Sequence, residues 1–75
     1  MIKFYTKTNC PLCEEAKGLL DLLNTAPIPV EEIDIYQSDD LLEMYQLMIP
    51  VIVYKDNELY GNDISIENIS RLLAE

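Results

Sequence analysis

The chain has no histidine and only two cysteines in its 75 residues. A structural zinc site takes four ligands, normally Cys or His, so one built here would need carboxylates or a second chain to complete it. Basic residues are scarce as well: Lys3, Lys7, Lys17, Lys55 and Arg71 stand against fourteen Asp and Glu, for a net charge of −9. Phosphate backbones are held by clustered Lys and Arg, which excludes nucleic acid as a partner class. The acid excess favours solubility; a second reading is that it suits a basic partner surface. No apolar run approaches the roughly 20 residues that a membrane-spanning helix needs. The opening MIKFYTKTN alternates apolar and polar residues and has no hydrophobic stretch of the secretory kind. The expectation is a soluble monomer of the cytoplasm, where permanent disulfides are disfavoured.

Linkers, repeats and low-complexity tracts are also missing, so residues 1–75 read as one small domain. IKFYT puts Ile2 and Phe4 on one face and Lys3 and Tyr5 on the other, the pattern of a strand. Pro11 suits the first position of a helix, because its φ is already set and its missing amide is not needed there. Leu12, Ala16, Leu19, Leu20 and Leu23 follow at helical spacing. Residues 24–29, with two prolines, end that helix in a loop. VEEIDIY predicts a second strand at a sheet edge. Ser38 caps a short second helix, with Asp39 and Asp40 in its first turn and Leu41, Tyr45 and Met48 along one face.

PVIVY is apolar on both faces, as a central strand covered from both sides would be. KDNE then makes a turn and LYG a short last strand. Asp63 or Ser65 caps a final helix whose Ile66, Ile69, Leu72 and Leu73 face inward. The order is β-α-β-α-β-β-α. Its first two strands with their crossover helix form a right-handed βαβ unit, and its last two form a hairpin. The economical α/β arrangement is a four-stranded mixed sheet with three flanking helices, the first and third on one side and the second on the other.

Cys10 and Cys13 sit two residues apart in TNCPLCEEAKGLL, where the first helix begins. Four readings are open: a staple, a pair of metal ligands, two inert buried thiols, or a redox couple. A disulfide closing about four residues contributes only roughly 2 kcal/mol in chain-entropy terms, and less where a helix start already restrains the chain. Inert thiols would pack as small hydrophobes. The redox reading explains the placement best. At a helix N-cap, unpaired N–H groups and the positive end of the dipole stabilise a thiolate, and the thiolate is the nucleophile of disulfide exchange. Cys13, one turn on, is placed to attack the sulfur of Cys10 once a mixed disulfide has formed. Lys7 adds positive potential while Glu14 and Glu15 oppose it, so a moderate bias toward the thiolate is expected. Strand, loop and C-x-x-C opening a helix is the context of a thioredoxin-like motif.

With these residues the chain resembles the glutaredoxin-like branch of the thioredoxin superfamily over essentially its whole length. CPLC matches the glutaredoxin C-P-x-C form, with Leu12 where tyrosine is commonest. MIPVIVY looks like the family's second landmark, which implies a cis Ile49–Pro50 bond beside the cysteines, with the Ile49 backbone offered to an extended substrate. Gly61-Asn62-Asp63 is similar to the turn that holds one end of glutathione, although it is one glycine short of the family's form. For the side chain that holds the tripeptide's other carboxylate in that family, Gln46 is the only candidate.

The resemblance implies a thioredoxin-like fold and a dithiol–disulfide oxidoreductase with Cys10 as nucleophile and Cys13 as resolving thiol. It also implies substrate contacts from Lys7, Pro11, Leu12, Ile49, Pro50, Gly61, Asn62 and Asp63. No bound cofactor and no metal are required, because the two electrons reside in the sulfurs. The implied partners are a disulfide-containing protein and an electron donor, either glutathione or a thioredoxin-reductase-type flavoenzyme. Two rival functions are a glutathione-dependent [2Fe–2S] cluster carrier and a redox-inert adaptor. Phe4 stands where thioredoxins keep a buried aspartate, and Asn9 where they keep a tryptophan.

Overall fold

A parallel pair of strands forms one half of the sheet. In the computed structural model, which describes residues 1–74, β1 (Ile2–Thr6) runs parallel to β2 (Val30–Asp34), with α1 (Pro11–Leu23) as the crossover. The chain then forms a 3₁₀ turn over Ile35–Gln37, α2 (Asp39–Tyr45), the hairpin strands β3 (Val51–Tyr54) and β4 (Asn57–Tyr60), a second 3₁₀ turn over Gly61–Asp63, and α3 (Ile66–Leu73). The sheet order is β2-β1-β3-β4, with β3 antiparallel to both of its neighbours. This is the four-stranded mixed sheet that the sequence predicts, with β2 at an edge and the doubly apolar β3 inside.

The period of two along β1 and β3 divides the interior into two layers. Ile2, Phe4 and Ile52 are fully buried on one face, beneath Ala16 and Leu20 of α1 and Ile69 and Leu72 of α3. Val51 turns to the other face and packs with Ile35 and with Tyr45 of α2. Tyr5 joins this second layer, its ring 4.5 Å from that of Tyr45. Each fully buried large side chain contributes about 1.5–3 kcal/mol relative to leaving it in water. First and third helices thus share one side and the second helix takes the other, as expected. No polar or charged side chain is buried among the described residues, and Phe4 lies in the same layer as both cysteines.

Several elements differ from the sequence reading for local reasons. The strand VEEIDIY stops at Asp34, because the Asp34 carboxylate accepts the Tyr36 amide at 2.9 Å and bends the chain into the 3₁₀ turn. Helix α2 closes at Tyr45, whose carbonyl accepts the amides of both Met48 (2.8 Å) and Ile49 (3.1 Å). Met48 therefore lies past the helix and is exposed rather than continuing the stripe. The turn in KDNE is only Lys55 and Asp56, since Tyr54 already pairs with Asn57. A two-residue loop follows the twist of its strands when its first residue takes positive φ, and Lys55 does, at +56°. The last strand is Asn57–Tyr60, and Gly61 opens the second 3₁₀ turn.

Ser65, not Asp63, caps α3, its hydroxyl accepting the Asn68 amide at 3.1 Å. Leu12 and Ile66 are exposed rather than core residues, 64% and 56% accessible respectively.

Candidate dithiol site

Everything at this site starts from the end of β1. The strand leaves the sheet at Thr6, and Asn9 takes a left-handed φ of +56°, which Asn tolerates better than most residues. That turn delivers Cys10, in extended conformation, to the N-cap of α1, with Pro11 as the first helical residue. The amide of Cys13 donates to the Cys10 sulfur at 3.1 Å, so a sulfur does here what a Ser or Asp oxygen does at most helix starts. The two cysteines are joined as a disulfide, with their Cα atoms 5.1 Å apart. Cys10 is 9% exposed and Cys13 3%, which makes Cys10 the sulfur within a partner's reach.

Two hollows flank the pair. The larger, of about 840 Å³, lies between α1 and the edge strand β2, and both cysteines line it. Lys7, Glu14, Lys17, Asp21, Glu32 and Asp34 supply its charge. The parallel register explains the carboxylates of β2. Glu32 stands level with Phe4 and Asp34 with Thr6, so both share the face that α1 covers. The Lys17 ammonium is held by both oxygens of Asp21, each at 3.1 Å.

The smaller hollow, of about 170 Å³, lies on the opposite flank and is lined by Leu12, Ala16, Leu19, Pro50, Gly61 and Ile64, with Glu15 and Asn62. The Ile49–Pro50 peptide is cis. The Pro50 carbonyl accepts the Gly61 amide at 2.8 Å, which ties the 3₁₀ turn after β4 to the proline. Gly61 has a φ of +37°, a region that glycine enters at little cost.

The residues singled out in the sequence therefore divide. Leu12, Pro50, Gly61 and Asn62 meet at the smaller hollow, while Lys7 stands with the cysteines at the larger. Pro11, Ile49 and Asp63 line neither. The Ile49 amide is spent on Tyr45, so of its backbone polar groups only the carbonyl is left for a partner. Asp63 instead gives its carbonyl to the Asn68 side chain at 2.6 Å. Gln46 ends α2 and lines neither hollow.

Glu32, Asp34 and Gln37 are the site residues that the sequence reading missed. The available signal was the parallel pairing of β1 and β2. In α/β sheets, ligands gather beyond the carboxyl ends of such strands. Among the described residues no three of His, Cys, Asp and Glu converge as a metal site, and no helix is long and apolar enough to cross a membrane.

Comparison with known proteins agrees with this fold. The glutaredoxin-like domain family matches over residues 1–74. A structural genomics target protein from X. campestris superposes with a TM-score of 0.85 at 20% identity, covering 99% of this chain and 96% of its own. NrdH-redoxin from Escherichia coli, described as a glutaredoxin-like protein with a thioredoxin-like activity profile, gives 0.73 at 21% identity over 95% and 92% of the two chains. The thioredoxin-like protein BC3987 gives 0.67 at 26% identity over 96% and 99%. No curated protein matches the chain by sequence.

Proposed function

The chain belongs to the glutaredoxin-like domain family, and from that premise we propose that it is a thiol–disulfide oxidoreductase that reduces disulfides through Cys10 and Cys13. The observation that carries this reading is the capping contact: the Cys10 sulfur accepts an amide at the start of a thirteen-residue helix while bonded to Cys13. An amide donor and the helix dipole both favour negative charge on that atom.

In the reduced protein the Cys10 thiolate attacks one sulfur of a substrate disulfide. The substrate S–S bond breaks, one substrate thiolate leaves and takes a proton from solvent, and a mixed disulfide to Cys10 remains. Cys13 then loses its proton and attacks the Cys10 sulfur. The second substrate thiolate leaves and is protonated, and the Cys10–Cys13 disulfide closes. The substrate has gained two electrons and two protons, and the protein dithiol has lost them. An external thiol reductant, either glutathione or a thioredoxin-reductase-type flavoenzyme, reopens the bond for the next cycle. The protein works as a cytoplasmic monomer, without a bound cofactor.

The test uses two single variants and one donor comparison. Cys10→Ser abolishes reduction of a protein disulfide. Cys13→Ser still attacks but accumulates the mixed disulfide, seen as a covalent adduct in the intact mass. Equal turnover by both variants and the parent protein overturns the reading. Activity with glutathione and its reductase, set against activity with thioredoxin reductase, identifies the donor.

A further inference from the structure

We propose that the groove between α1 and β2 is the docking trough for a positively charged polypeptide, so that the substrate class is a basic protein or peptide disulfide rather than a small anionic one. The proposal rests on the dithiol reading above and specifies what the dithiol acts upon.

Both cysteines line this groove, so a chain lying in it brings its own disulfide beside Cys10. Of the charges along it, Lys17 and Asp21 neutralise each other through their paired 3.1 Å contacts. What remains is Glu14, Glu32 and Asp34 against Lys7, three carboxylates to one ammonium. They approach from two elements, Glu14 from the first turn of α1 and the other two from the edge strand, so that acidic groups stand on both sides of the groove and outnumber the basic ones. A cleft with an excess of one sign of charge focuses the field of the whole molecule, here with a net charge of −9 behind it. Polypeptide carrying Lys or Arg matches the charge of such a trough.

The opposite flank does not offer an alternative to a small anion. The hollow beside Pro50 is about a fifth as large, and its single charged lining residue is Glu15. A tripeptide with two carboxylates meets like charge on either side of the sulfurs.

The test follows reduction of three peptides of equal length by the pre-reduced protein in stopped flow. Each peptide carries one internal disulfide with a quenched fluorophore pair, and the three are basic, neutral and acidic. At low salt the basic peptide reacts at least about tenfold faster than the neutral one and the acidic peptide more slowly, within the range that electrostatic steering supplies. High salt brings the three to within about twofold of one another, because exposed charges are then screened. Glu14→Gln with Glu32→Gln, both exposed positions, reduces the basic-to-neutral ratio about threefold or more at low salt. Glu31→Gln with Glu43→Gln, which removes the same charge away from the groove, leaves that ratio nearly intact.

If no peptide is reduced, the dithiol reading itself fails. If all three are reduced at equal, salt-independent rates, the dithiol reading stands and the basic-substrate proposal is overturned. If both double variants lower the ratio equally, the preference belongs to the overall charge, and the groove is not its site.

Discussion

The amide of Cys13 donates to the sulfur of Cys10 across 3.1 Å, so the atom that caps α1 is also the atom that faces a partner. In the reduced protein this donor and the helix end hold negative charge on Cys10, whereas Cys13 lies one turn further in and is the more buried. Brief iodoacetamide treatment at neutral pH therefore labels Cys10 about tenfold faster than Cys13, as read by peptide mapping. Equal labelling, or labelling of Cys13 first, contradicts the assignment of roles.

The two glycines respond in opposite directions. Gly18 lies inside α1, and an added Cβ meets no atom within 4 Å, so Gly18→Ala stabilises by about 0.5–1 kcal/mol. Gly61 also has room, with the Met48 carbonyl oxygen 3.5 Å away, but its φ of +37° is unfavourable to any side chain. Gly61→Ala therefore costs about 1–2 kcal/mol. Urea unfolding of the oxidised protein measures both, and a shared sign defeats the argument.

Leu12 and Leu20 test where the core ends. Leu20 is fully buried between helix and sheet, so Leu20→Ala destabilises by about 2–5 kcal/mol. Leu12 is 64% exposed at the rim of the smaller hollow, and Leu12→Ala changes stability by no more than about 0.5 kcal/mol. A large loss of stability from Leu12→Ala would show that Leu12 belongs to the buried stripe, which in the structure begins at Cys13.

Stability falls in alkali. Burial pushes the Tyr45 phenol up from its ordinary value, with Glu58 and Tyr5 adding to the effect. The hydrogen bond to Glu58 pushes the Tyr60 phenol up as well. A folded value above the unfolded one means that folding favours the protonated phenol. The contribution is whole below about pH 10 and is lost as pH rises through the folded values. In the oxidised protein, where no thiol titrates, the urea midpoint declines above about pH 10, and Tyr45→Phe lessens the decline. A midpoint that climbs in that range refutes the sign.

Much of this molecule was legible in the residue pattern, and the exceptions have physical causes. Ile2 and Phe4 announce the buried face of β1 because a strand alternates strictly. Pro11 and the leucines after it announce α1. Leu12 and Ile66 mislead because periodicity marks which side of a helix is apolar but not which residues of that side become covered. Asp34 ends β2 through a side chain that bonds to its own backbone two residues on, a choice that apolar alternation through Ile35 conceals.

The sulfurs were legible from their spacing, and Pro50 with Gly61 from the family resemblance. Glu32 and Asp34 were not, because their place beside α1 depends on the register between two strands that lie 28 residues apart in sequence.

Cys10 and Cys13 belong to the same buried cluster as Phe4, Leu20 and Ile52. In so short a chain the reagent is also part of the masonry. A lineage that abandoned the chemistry could not let these two positions drift freely, since a bulky polar replacement would open the layer beneath α1. Its descendants should carry small, apolar substitutes there, and such a pair of alanines or valines in an otherwise similar sequence marks a lost dithiol on the same fold rather than a different fold.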